Sequence, residues 1–177
     1  MTKVAIIVGS LRKESLNKKF AQAVEARLPE DVEVAHISVD LPLYNDDVEM
    51  AGVPEDVQAV KDEIASADGV LIISPEYNRG YSGVVKNALD WISRPYGDNS
   101  LNGKPVAVAG VSPSPLGTTQ AQSQLRNVLL FLNTRIMGQP EMYVDGGRFF
   151  SEDGGIHVEA EGMLQSYVDA FMNHIKQ

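Results

Sequence analysis

Val4-Ala-Ile-Ile-Val-Gly-Ser-Leu-Arg-Lys-Glu-Ser-Leu-Asn17 is the stretch on which the fold turns. A continuous apolar run stops at Gly9, and a short polar loop carrying Ser10, Arg12 and Ser15 leads into a helical pattern. An unbroken apolar run reads as a strand buried on both faces, the habit of parallel sheets. Gly9 permits a tight exit from that strand, and Ser15 is a good N-cap for the helix beyond it. The helix end offers unpaired N–H groups and a partial positive charge, and Arg12 adds a formal one. Ser10 and Arg12 could then reach a dianionic phosphate from the side, with Asn17 in the first helical turn. One helix terminus with one cluster of donors suits a terminal monophosphate better than a pyrophosphate. The loop matches neither Gly-x-Gly-x-x-Gly nor Gly-x-x-x-x-Gly-Lys-Ser/Thr. By itself it reads equally as a capped helix with a solvated Arg12–Lys13 pair.

Outward from this stretch, apolar strand candidates alternate with helical patterns. The strands read as Val4–Val8, Val32–Ile37, Val70–Ile73, Val106–Gly110 and Met142–Val144. Leu16, Phe20, Val24 and Leu28 recur four apart and predict a first helix buried on one face. A second runs from about Pro54 to Ala65, a third begins near Gly83, and a fourth carries Leu125, Val128, Leu129 and Leu132. The last has the cleanest stripe: Leu164, Tyr167, Val168, Phe171, Met172 and Ile175. Strict alternation predicts an α/β fold, a five-stranded doubly wound parallel sheet in the flavodoxin-like order 2-1-3-4-5. That order puts the switch point between the first and third strands, so ligand loops should follow those two. With no repeat, low-complexity tract or linker, residues 1–177 are expected to form one domain, and Asp145–Gly155 to be its most mobile loop.

The composition excludes several classes. The formal charge of −9 leaves no basic surplus for a nucleic-acid partner, and it opposes any anionic ligand not held by local charge. With no cysteine there is no disulfide, thiolate metal site or catalytic thiol. No apolar run approaches the ~20 residues of a membrane span, and the chain enters a strand directly, so a cytoplasmic location is expected.

Two further loops lie at strand ends. Ser74-Pro-Glu-Tyr-Asn-Arg-Gly-Tyr-Ser-Gly83 follows the third strand. Pro75 forces an extended exit, Gly80 and Gly83 admit a flat ligand, and Tyr77 and Asn78 offer ring surface and amide groups. It also reads as a plain β-to-α connection with a surface tyrosine. Val111-Ser-Pro-Ser-Pro-Leu-Gly-Thr-Thr119 follows the fourth strand. There Ser112, Ser114 and the backbone near Gly117 and Thr118 could bond the polar edge of a ring, or simply form a rigid turn and N-cap. His36, His157 and His174 are scattered outside these loops, and the acidic Asp46, Asp47 and Glu49 read as a solvated loop. No Gly-x-Ser-x-Gly elbow, metal-ligand spacing or Cys–His arrangement is present, so no metal site or catalytic side chain is expected. A phosphate site, a flat-ring site and no acid–base machinery together suggest that a cofactor performs the reaction.

Gly-Ser-Leu-Arg-x-x-Ser-x-Asn after the first strand, Pro75-Glu-Tyr-Asn78 after the third, and Lys86-Asn-Ala-Leu-Asp-Trp-Ile-Ser-Arg-Pro95 together resemble the NAD(P)H-dependent FMN reductase family. That family includes chromate, quinone and azo-dye reductases. The resemblance extends through Gly103-Lys-Pro105, Ser112-Pro113 with Gly117, and Leu125-Arg-Asn127. It implies a flavodoxin-like fold, bound FMN, NADPH or NADH as co-substrate, small-molecule electron acceptors and a homodimer or homotetramer. Carried over by position, Ser10, Arg12, Ser15, Leu16 and Asn17 would hold the FMN phosphate. Pro75, Glu76, Tyr77 and Asn78 would line the isoalloxazine, with Ser112 and Gly117 near its polar edge or ribityl chain. The family's Ser-x-Pro-Gly is replaced here by Gly80-Tyr-Ser-Gly83, which bears on rim stiffness and acceptor preference. Arg79 is a candidate contact for a 2′-phosphate. The alternative function is a flavodoxin-type FMN electron carrier without nicotinamide activity, although the first loop lacks the Ser/Thr-x-Thr-Gly-x-Thr pattern of flavodoxins. A non-redox nucleotide-binding module is a more distant one.

Overall fold

The computed structural model describes all residues, 1–177. The first strand, β1, is Thr2–Val8, and the helix after the polar loop, α1, is Leu16–Glu25. Then come β2 (Val32–Ile37), a short α2 (Asp46–Ala51), α3 (Glu55–Ser66) and β3 (Gly69–Ile73). A two-stranded ribbon, β4 (Glu76–Tyr77) and β5 (Gly80–Tyr81), precedes α4 (Gly83–Ile92). β6 (Pro105–Ser112) and α5 (Thr119–Phe131) follow, then β7 (Arg135–Ile136), β8 (Met142–Asp145), α6 (Gly146–Phe149) and α7 (Val158–Ile175).

The main sheet runs β2-β1-β3-β6 with all pairings parallel, which is the expected flavodoxin-like order. Its fifth position is split. β7 pairs with the start of β6 through Pro105 and Val106, and β8 with its end through Ala109–Ser112. The sequence pattern placed only β8 there, because a two-residue strand shows no periodicity. The ribbon strands are equally short, and α2 buries no side chain and so carries no apolar stripe to read. Asn45 caps α2 through a bond from the Asp47 N–H (2.9 Å), and the Tyr44 hydroxyl bonds Asp46 and Glu49, so the acidic cluster is a helix rather than an open loop. Within the stretch expected to be mobile, α6 forms and Phe150 bridges to Ile156.

Alternation along the buried strands divides the core into two layers. Val4, Ile6, Leu71, Ile73, Ala107 and Ala109 face α1 and α7, where they meet Phe20, Val24, Leu164 and Phe171. Ala5, Ile7, Val70, Ile72, Val106 and Val108 face α3, α4 and α5, where they meet Ile64, Leu89 and Leu125. Each fully buried large side chain contributes about 1.5–3 kcal/mol, so both helical layers are firmly held and the strand ends have a fixed platform. Trp91 is wholly buried within its own subunit: its indole N–H donates to the Pro42 carbonyl (2.8 Å) and its ring meets Tyr44 edge-on. Asn87 joins in, accepting from the Tyr44 N–H and donating to the Pro42 carbonyl, so the loop after β2 is strapped along α4.

Candidate functional site

The loop from β1 to α1 leaves the sheet with Gly9 N–H bonded to the Ile73 carbonyl (2.8 Å), which ties it to the neighbouring strand at the switch point. From Leu11 to Asn17 no backbone N–H makes a well-formed hydrogen bond within the chain. Ser15 caps α1 by accepting from the Lys18 N–H (3.4 Å). Ser10 is buried with its hydroxyl unbonded, and Arg12 is exposed with no carboxylate partner. Successive unpaired N–H groups at a helix start, joined by a free guanidinium, form an anion cradle. Leu16 packs against the α1 face of the core. The Asn17 side chain turns away from the cradle, where its amide donates to the Val111 carbonyl (3.0 Å) and accepts from the Val111 N–H (2.9 Å). Only its backbone N–H is left to the cradle.

The second loop is a hairpin standing off the main sheet. Tyr77 pairs with Gly80 across a turn in which Asn78 (φ 51°) and Arg79 (φ 66°) both adopt the left-handed conformation. A type I′ turn requires this; Asn accepts it readily and Arg does so under strain. Pro75 is buried, whereas Tyr77 and Asn78 project to solvent, Tyr77 at 56% exposure. The Glu76 carboxylate is committed to α5, accepting from the N–H groups of Gln120 and Ala121 (3.0 Å each). The Tyr81 phenol is pushed above its ordinary value by burial and stays neutral.

In the third loop Ser112 turns inward. Its hydroxyl donates to the Gly117 carbonyl (2.7 Å) and accepts from the Ser114 N–H (3.1 Å), so it shapes the turn rather than projecting from it. Gly117 has φ +61°, and a Cβ there would lie 2.8 Å from the backbone of Tyr143, so glycine is what lets the loop seat on β8. Gly110, at the end of β6, is equally constrained, because a Cβ would meet the Ser74 carbonyl at 2.2 Å. These close approaches bring the ends of β3, β6 and β8 together beneath the loops.

The arrangement therefore offers an anion cradle, an exposed aromatic hairpin beside it and a rigid third wall. No group of His, Asp and Glu side chains is spaced to hold a metal ion. His36 pairs with Glu25 and shares a cavity with Ser10 and Leu11 of the first loop, whereas the His174 ring bonds the Arg135 carbonyl. The donors fit a terminal phosphate and the hairpin fits a planar ring, which are the two ends of FMN. Local sequence pattern was enough to locate the loops. It does not show the link of the Glu76 carboxylate to α5, which has no local signal.

Fold and loops together define a flavodoxin-like α/β protein with room for a flavin nucleotide at the strand ends, and the comparisons make it an oxidoreductase. Residues 2–148 match the NADPH-dependent FMN reductase family. A quinone reductase of Pseudomonas putida is 42% identical over 175 residues, covering 98% of this chain and 94% of that protein. A 2-hydroxy-1,4-benzoquinone reductase of a Burkholderia species is 42% identical over 172 residues, 96% of this chain and 93% of its own. The flavoenzyme NAD(P)H:(acceptor) oxidoreductase FerB of Paracoccus denitrificans superimposes with a TM-score of 0.93 at 44% identity, over 99% of this chain and 98% of that one. The chain belongs to the NADPH-dependent FMN reductase family, with FMN as cofactor and NAD(P)H as co-substrate.

Proposed function

We propose that the chain is a quinone reductase that uses one FMN per subunit and works in the cytoplasm. The observation that carries this reading is the run of unpaired N–H groups from Leu11 to Asn17 beside the free Arg12. FMN, when bound, would supply the two-electron redox chemistry between NADPH or NADH and an acceptor. The residues hold and orient it. Leu11–Asn17 N–H groups, the Ser10 and Ser15 hydroxyls and Arg12 take the phosphate. Pro75, Tyr77 and Asn78 flank the isoalloxazine, and Ser112 and Gly117 keep the third loop against its polar edge. The absence of a second dinucleotide cradle leaves donor and acceptor to use one face in turn. Quinones are the acceptor class that the named relatives favour; azo compounds, free flavin and chromate are small enough to use the same open face. No helix of the chain is long and apolar enough to cross a membrane.

Two measurements test the reading. Acid-released cofactor should be FMN at about one per chain, and FAD or a colourless protein would refute it. NADPH oxidation at several fixed quinone concentrations should give parallel double-reciprocal lines. Intersecting lines would reveal a separate nicotinamide site, and bound FMN without NADPH oxidation would make the chain an electron carrier.

The same reading includes assembly into a homodimer or homotetramer. Trp91 takes no part, being buried within its own subunit. Beside the ends of α4 and α5 lies an open groove of about 1120 Å³, where Tyr96 is 93% and Phe131 86% exposed. Leu130 widens this apolar surface. Phe131→Glu should yield a monomer by sedimentation at micromolar concentration; a wild-type monomer would end the idea.

A further inference from the structure

We propose that Glu76 is a positioning residue for the flavin ring, acting as a clasp that closes the hairpin onto α5; this rests on the FMN reading above. The hairpin β4–β5 pairs with no strand of the main sheet. A lone two-stranded ribbon is marginal in water, and this one carries two non-glycine residues in left-handed conformation at its turn. Something outside it must hold it.

Two side chains do so. One oxygen of Glu76 accepts from the backbone N–H groups of both Gln120 and Ala121 at 3.0 Å. At the far end of the ribbon the Gln124 amide donates to the Arg79 carbonyl (2.7 Å). The N-cap residue of α5, Thr118, makes no side-chain cap bond, so the cap of this helix comes from the opposite loop. A carboxylate at a helix N-terminus is favoured by the unpaired N–H groups and by the helix dipole. The clasp thus fixes the gap between the hairpin, which carries Tyr77 and Asn78, and the loop of Ser112–Thr118. That gap is where the ring would lie. Arg12 and the phosphate cradle belong to another loop, so the two effects should be separable.

Geometry, rather than charge, is what the clasp supplies. A glutamine at this position can still accept both N–H groups through its amide oxygen, whereas alanine cannot. The test uses the full-length chain stripped of flavin and titrated with FMN and with riboflavin, which lacks the phosphate. Glu76→Ala should weaken both by roughly tenfold, the loss of the hydrogen bonds that hold the hairpin in place, leaving their ratio unchanged. Glu76→Gln should bind both within twofold of wild type. Arg12→Ala should instead weaken FMN alone and so change the ratio. Equal binding by Glu76→Ala and wild type would overturn the proposal, as would Glu76→Gln as impaired as Glu76→Ala. Amide exchange gives a readout without flavin. Protection of Gln120 and Ala121 should fall in Glu76→Ala, and unchanged protection would likewise overturn the clasp. Failure of the wild type to bind either flavin would strike the functional reading, while the exchange measurement would still decide the clasp.

Discussion

Two sets of positive groups, one near each rim of the sheet, are used in opposite ways. Near the rim where strands begin, three lysines are paired. Lys3 sits between Glu33 and Glu63 (3.5 and 2.8 Å). Lys61, almost fully buried, donates to the carbonyls of Ile92, Arg94 and Asp98 just past the end of α4. Lys104 donates to the Ala65 and Ala67 carbonyls at the end of α3, and burial holds its ammonium below the ordinary lysine value. At the rim where strands end, Arg12 has no carboxylate partner and the N–H groups from Leu11 to Asn17 have no acceptor. In one region cations satisfy helix C-termini and fasten the fold. In the other, donor capacity is left over in a chain of net charge −9. Unpaired donors gathered by a rigid scaffold are what an anionic ligand needs.

The contrast can be broken from either side. The largest effect belongs to Lys61→Met, which leaves buried carbonyls without a donor and should destabilise the protein by about 2–4 kcal/mol. Urea unfolding would measure it, and FMN affinity of the folded fraction should stay as it was. Arg12→Ala should do the reverse, keeping the unfolding midpoint while lowering FMN affinity by roughly 1.5–3 kcal/mol, or about one to two powers of ten. Unaltered FMN titration would count against the cradle. Ser15→Ala sharpens the comparison because this residue serves both purposes. Loss of its cap should cost about 1 kcal/mol of stability and weaken FMN as well.

The smallest effect is at Tyr44, which packs on Trp91 and lies under the Arg94 guanidinium on the paired side. Its hydrogen bonds to Asp46, then Glu49, raise its ionisation far above the ordinary 10.0. A raised folded value means that this contribution is whole below pH 10.0 and is lost only as pH climbs through the folded value. Alkaline difference spectra of wild type and Tyr44→Phe should therefore coincide up to that pH and beyond. A tyrosine signal missing from the variant in the ordinary range would contradict the paired arrangement.

Legibility followed the range of the interactions. The cradle could be read because strand, glycine, polar loop and capped helix are contiguous from Val4 to Asn17. Strand order followed from alternation and from the buried character of the runs. Asn17 shows where that stopped. Its place in the first helical turn was visible, but its amide is taken by Val111, far along the chain. Trp91 lies in a motif that the sequence shows, yet its partner Pro42 lies in a loop with no matching pattern. Glu76 reads from sequence only as a wall of the ring site, and its cap on α5, formed with residues 44 and 45 positions away, has no local signal.

By itself, then, the sequence determined the parallel α/β architecture, the helical cover on both faces of the sheet and the positions of the three loops at the strand ends. Those follow from periodicity and local backbone chemistry, which neighbouring residues fully specify. Tertiary structure alone decided the split fifth strand, the burial of Trp91 and the division of polar side chains between holding the fold and facing a ligand. A side chain's hydrogen-bonding capacity is local, but whether it is already satisfied depends on what folding brings to it.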